Sequence, residues 1–216
     1  MPICKVATNS LNGYFASVMY GPDLELTANQ TRKKLNDEFS PSRSVYTNEF
    51  IATGEYKTYY KIAFVRSPWT RAVASFRELL RRQPFGWLYT PERYGLAYEE
   101  IYDLMQGYIS FDNFIDFIVN IERDHTDIIN HHWRPQVDCL SINYETHLYD
   151  FVGKLENIDD DLKHVQEHLG LEKTGLQKQH VTPAYNYKLY YQNSKTIDMV
   201  GEYYEHDIEE FNYDIL

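Results

Sequence analysis

One stretch constrains this chain more than any other: Lys61 to Arg77, KIAFVRSPWTRAVASFR. Ile62-Ala63-Phe64-Val65 is a short apolar run of the kind a buried strand requires. Arg66, Ser67 and Pro68 interrupt it. Beyond them the apolar residues recur at helical spacing: Trp69, Ala72, Val73, Phe76, Leu79 and Leu80. Ser67 suits an N-cap and Pro68 a first helical residue. The pattern predicts a strand, a turn and a helix, with an arginine at the strand's carboxyl end. In open α/β sheets ligands bind at that edge, and the unpaired N–H groups of a helix start favour an anion. Arg66, Ser67 and Ser75 are therefore candidate phosphate contacts. An ordinary strand–helix unit with Arg66 in a structural ion pair fits the same residues, and this segment alone leaves both readings open.

The wording of the segment, F-V-R-S-P-x-x-R-x-x-x-S-x-R, resembles the 3′-phosphate-binding motif of sulfotransferases. The match is to the carbohydrate sulfotransferases that include the chondroitin and HNK-1 types. The resemblance implies that Arg66 and Ser75 hold the 3′-phosphate of the donor, 3′-phosphoadenosine 5′-phosphosulfate (PAPS). Ser67 stands where that family has Asp, Glu or Asn, which leaves the anion-binding logic intact.

A second block lies at the N-terminus. Pro2-Ile3-Cys4-Lys5-Val6-Ala7-Thr8-Asn9-Ser10-Leu11 resembles the family's 5′-phosphosulfate loop, with Cys4 where the family has Pro. Lys5 falls on the loop lysine, and Thr8, Asn9 and Ser10 on its small polar residues. A short strand would deliver the chain to a turn whose N–H groups face the anion, and Lys5 would add a mobile positive charge. The resemblance makes Lys5, Val6, Ala7, Thr8, Asn9 and Ser10 cofactor-binding residues. No G-x-x-x-x-G-K-[ST] occurs, so this is not a standard nucleoside-triphosphate loop. A third block covers the C-terminal half. His132-Trp133-Arg134-Pro135-Gln136 matches the family's H-W-R-P-x element. Tyr149 to Glu156 matches its Y-D-x-V/I-G-K-x-E strand, and Val200 to Tyr213 its closing helix. Residues 19–60 and 82–100 match weakly.

The implied fold is α/β, a P-loop-like parallel sheet flanked by helices, in a single domain over residues 1–216. Length agrees: 216 residues are ample for one core. Strands are expected at Ile3 to Val6, Val45 to Thr53, Ile62 to Arg66 and Leu148 to Val152. Helices are expected at Leu11 to Tyr20, around Thr27 to Phe39, from Pro68 to about Arg82, at Leu96 to Met105 and at Phe111 to Ile121. A further helix is capped by Asn157 and closed by Gly170. No apolar run approaches the roughly 20 residues of a membrane span, and no signal peptide precedes the first strand. Golgi members of the resembled family carry an anchor and stem, and the expectation is that this protein has neither. The expectation is a soluble, cytoplasmic protein of prokaryotic or viral source, without a membrane partner. Cys4 and Cys139 are too few for a disulfide framework and lack a metal pattern.

The net charge of −11 opposes an anionic donor, so a local basic pocket must hold it. The same charge argues against nucleic acid as a partner. Sulfuryl transfer needs positioning and stabilisation of charge on the leaving side, a task that falls to Lys5. It also needs a base for the acceptor hydroxyl. Of eight histidines, His132 is the candidate because it opens the H-W-R-P element; Glu49 is the rival. His180 and Tyr185 stand where the family places residues near the nucleotide. The activity implied is transfer from PAPS, with adenosine 3′,5′-bisphosphate (PAP) as product and no metal, to a hydroxyl acceptor expected to be a glycan. A nucleotide kinase and a noncatalytic adenine-nucleotide-binding protein are the alternatives.

Overall fold

The structure is a computed structural model that describes residues 6, 8–21, 30–31, 34, 59–81, 110–120, 132–140, 149–172, 175–176 and 185–216. Its elements in chain order are α1 (Thr8–Tyr20), β1 (Ile62–Val65), α2 (Pro68–Arg81), α3 (Phe111–Asn120), α4 (Gln136–Leu140), β2 (Phe151–Lys154), α5 (Ile158–Leu169), α6 (Ser194–Tyr203) and α7 (Glu205–Glu210). Short 3-10 turns run over Leu155–Asn157 and Tyr187–Tyr190. These residues fall into two compact units. One is Met1–Val65 with Cys139–Pro183, the other Arg66–Asp138 with Ala184–Leu216.

The first unit holds the sheet. β1 and β2 pair in parallel, with Ile62 opposite Phe151 and Val65 opposite Lys154. Parallel neighbours need a long crossover, and here residues 66–150 intervene. Leu11 of α1, Phe64 of β1 and Val165 of α5 bury one another. The strand expected at Leu148 to Val152 begins only at Phe151. Asp150 is diverted: its carboxylate accepts from the Lys61 main-chain N–H at 2.7 Å and pairs with the Lys61 ammonium at 2.6 Å. Those contacts hold the Asp150 carboxyl below the usual carboxylate range, chiefly through the hydrogen bond from the Lys61 side chain. The strand expected at Val45 to Thr53 and the helix at Leu96 to Met105 lie outside the described residues, as does all of the Ile3 to Val6 strand except Val6, which sits in a bend.

α5 ends as its sequence predicts. Gly170 adopts the left-handed conformation (φ 64°), with Gly170 and Leu171 N–H groups turned back to Glu167 and Gln166 carbonyls. Its start differs. Asn157 occupies the N-cap position but its side chain makes no capping bond. The 3-10 turn before it brings Asp161 close to the end of β2, and Asp161 accepts from Lys154 N–H at 2.5 Å instead.

The second unit is an aromatic core between helices. α2 sends in Trp69, Ala72, Val73, Phe76 and Leu79; α3 sends in Phe111, Phe114, Ile115 and Ile118. Leu80, placed in the same stripe by spacing, is 36 % exposed, because adjacent residues lie about 100° apart on a helix and Leu79 takes the inward direction. Ser110 caps α3 through Asn113 N–H. Edge-to-face rings fill the centre: Phe111 against Tyr191 at 5.1 Å and Phe114 against Trp133 at 5.4 Å. The closing helix expected over Val200 to Tyr213 is two helices. Tyr204 ends α6 and begins α7, and it is fully buried with its hydroxyl on the Trp133 carbonyl at 2.6 Å. Asn193 caps α6 by accepting from Lys195 N–H. Among the described residues no helix is long and apolar enough to cross a membrane.

Candidate functional site

Arg66 follows directly on the last residue of β1, where the ladder stops, and α2 begins two residues later. Its main chain is not left unpaired. Gln136 presents one planar side-chain amide to both polar groups of Arg66: Oε1 accepts from Arg66 N–H at 2.9 Å, and Nε2 donates to the Arg66 carbonyl at 2.8 Å. The Arg66 side chain is aimed along the first turn of α2, its Nε donating to Thr70 Oγ1 at 2.8 Å. Thr70 passes its own proton to the Ser67 carbonyl at 3.2 Å. Ser67 itself accepts Arg71 N–H on its carbonyl, as an N-cap residue does. A half-buried guanidinium therefore stands at the amino end of a 14-residue helix, where the N–H groups and the helix dipole also favour an anion.

Gln136 is held in turn by Asp207 of α7. The Asp207 carboxylate accepts from Gln136 N–H and Val137 N–H, both at 2.9 Å, and from Gln136 Nε2 at 3.2 Å. Both side chains are fully buried, and so is Arg71 beside the carboxylate. Burial pushes the Asp207 carboxyl above the ordinary aspartate value; its hydrogen bonds and the Arg71 charge oppose that rise only partly.

The segment from His132 to Gln136 is anchored at nearly every step. Ser75 is wholly buried and donates to the His132 carbonyl at 2.8 Å. Trp133 fills the core and its carbonyl accepts from Tyr204. His132 and Arg134 are half-buried. Tyr185 reaches the Thr70 carbonyl at 3.4 Å, and the Arg77 guanidinium lies 4.0 Å over its ring. The structure thus gathers Arg66, Ser67, Ser75, His132 and Tyr185 in one unit.

The N-terminal block belongs to the other unit. There α1 begins at Thr8, three residues before the expected Leu11, so Thr8, Asn9 and Ser10 make a first helical turn. Val6 and Ser10 are buried. Lys5, Ala7, His180 and Glu49 lie outside the described residues. Gln136 and Asp207 were missed by the sequence reading. Both stand inside blocks already singled out, but nothing along the chain pairs an amide with a carboxylate 71 residues away.

A sequence model described as the sulfotransferase family matches residues 3–214. The chain belongs to the sulfotransferase family. It is also 28 % identical over 139 residues to carbohydrate sulfotransferase 12 of Mus musculus. That alignment takes in 60 % of this chain and 32 % of the mouse protein, so the chain spans about a third of that relative's length. No solved structure matches. The matched range takes in the N-terminal turn of the one unit and, in the other, Arg66 with its helix, His132 to Gln136, and Asp207. Among the described residues no group of three His, Cys, Asp or Glu converges as metal ligands would.

Proposed function

We propose that this sulfotransferase moves a sulfuryl group from PAPS to a hydroxyl group, and that the acceptor is a carbohydrate. Arg66 carries this reading: a cation fastened at both its main chain and its Nε, at a helix start, in a chain that matches the family throughout. The mouse relative's name supports the carbohydrate acceptor. A family match that runs through both units supports reading residues 1–216 as one P-loop-like domain. A soluble, cytoplasmic setting belongs to the same proposal.

When bound, PAPS supplies a sulfuryl group attached to a phosphate leaving group. The residues of the chain do the rest. Arg66 reads the 3′-phosphate with a charge-assisted contact. The unpaired N–H groups in the first turn of α1 would suit the 5′-phosphosulfate. Lys5 neutralises the charge left on the bridging phosphate oxygen. His132 accepts the acceptor's proton as its oxygen bonds to sulfur, with Glu49 as the alternative base. Ser75 holds the His132 carbonyl and so fixes the backbone that carries the imidazole. Ser67 lends its position at the start of α2, and Tyr185 and His180 belong to the nucleotide side.

Calorimetric titration with PAP and with AMP tests the reading. The wild-type protein should prefer PAP, and Arg66→Ala should lose about 2 kcal/mol or more of PAP binding while AMP changes little. Equal losses for the two ligands would show that Arg66 does not read the 3′-phosphate.

A further inference from the structure

We propose that Gln136 and Asp207 are positioning residues that set the 3′-phosphate selectivity of this site by holding the Arg66 backbone; the proposal rests on the reading of Arg66 given above. A residue at the end of a strand normally loses its ladder partners. Arg66 keeps both, because a side-chain amide replaces the missing strand. One donor and one acceptor in a single plane are needed for that, and of the uncharged side chains long enough only glutamine offers both.

The amide could present itself either way round. A carboxylate can only accept, so Asp207 decides the matter: Nε2 must face it, and Nε2 then also faces the Arg66 carbonyl. The other Asp207 contacts fix the backbone from which the Gln136 side chain springs. Asp207, Gln136 and the Arg66 peptide form one connected set, and Thr70 completes it at the guanidinium. A long side chain magnifies any change at its Cα. A modest rotation of the Arg66 backbone would carry its guanidinium off a phosphate by more than a hydrogen bond tolerates. A full charge is an expensive way to brace a core, since burying a carboxylate is unfavourable unless its bonds matter. Here the three hydrogen bonds to the Asp207 carboxylate come from Gln136 and from Val137, the residue after it.

The test is a double-mutant cycle read by calorimetry with PAP and AMP. The variants are Gln136→Met, Arg66→Ala and both together. Gln136→Met keeps volume and loses both bonds to Arg66. It should weaken PAP about tenfold and leave AMP within about twofold, and in the Arg66→Ala background it should change PAP by less than about twofold. Asp207→Asn is the second, milder variant and serves if Gln136→Met does not fold. It should lower the PAP-to-AMP preference in the same direction. A purely structural role would weaken both ligands alike, or add in full to Arg66→Ala, and either result overturns the proposal. A wild-type protein with no preference for PAP would instead overturn the reading of Arg66 and this inference with it, before any variant is made.

Discussion

Gly153 has no room for a side chain. It lies opposite Phe64 in the β1–β2 register, and a Cβ there would come within 2.5 Å of Phe64 Cε1 and 3.1 Å of Phe151 Cε1. Phe64 cannot swing aside cheaply, because Leu11 and Val165 pack against it. The glycine in the Y-D-x-V/I-G-K block is thus a packing requirement. Gly153→Ala should destabilise the protein by about 1–3 kcal/mol through overpacking. A urea midpoint that does not move would mean that Phe64 repacks freely. Arg66 shows the opposite situation, a residue whose surroundings add contacts instead of excluding atoms. Its Nε, N–H and carbonyl are all engaged within the same unit, which prepares the guanidinium for a ligand at little further entropic loss.

The C-terminal elements act as a clasp made of phenol groups. Tyr191 donates to the Trp69 carbonyl at 2.8 Å and Tyr204 to the Trp133 carbonyl at 2.6 Å. The Trp69 indole N–H answers by donating to the Asp214 carbonyl at 3.0 Å. The first turn of α2 and the H-W-R-P segment are held by the same stretch, residues 185–214. Tyr204→Phe removes a buried donor and should cost about 1–3 kcal/mol. It should also change the alkaline limb of stability. Burial holds the Tyr204 and Tyr191 phenols above the ordinary tyrosine value. Above a pH of about 10 the unfolded chain releases those protons while the folded chain keeps them, so stability is full below that pH and falls above it. Denaturant curves between pH 8 and pH 11 should show a shallower decline for Tyr204→Phe. An unchanged slope would assign the alkaline loss to other groups.

At the scale of the whole molecule, charge sets the problem. With 32 acidic against 21 basic residues, the general field repels a polyanion such as the proposed donor, and the proposed contacts from Arg66 and Lys5 would have to outweigh it. If they supply the positive charge, turnover from PAPS should survive EDTA. Activity lost in EDTA and restored by Mg²⁺ would contradict this account. Much of the architecture was legible because it is local. An apolar run followed by a Ser-Pro turn and a helical stripe names β1 and α2 without reference to the rest of the chain. Phe111, Phe114, Ile115 and Ile118 do the same for α3, and Gly170 for the end of α5. Signals of this kind depend only on neighbours within a few residues, through periodicity and backbone conformation. Other features depend on what meets across the fold. Asn157 makes no capping bond at the start of α5 while Asp161 accepts an N–H from the end of β2, and Leu79 took the core position beside Leu80. Ser75 turned its proton to His132, and a single aspartate among many acids became the partner of Gln136. The chain alone determined β1, α2, α3 and the end of α5, and which arginine stands at the junction of β1 and α2. Only the tertiary structure decided what holds that arginine, because hydrogen-bond partners 57 to 71 residues apart are chosen by packing and burial, and no local pattern records them.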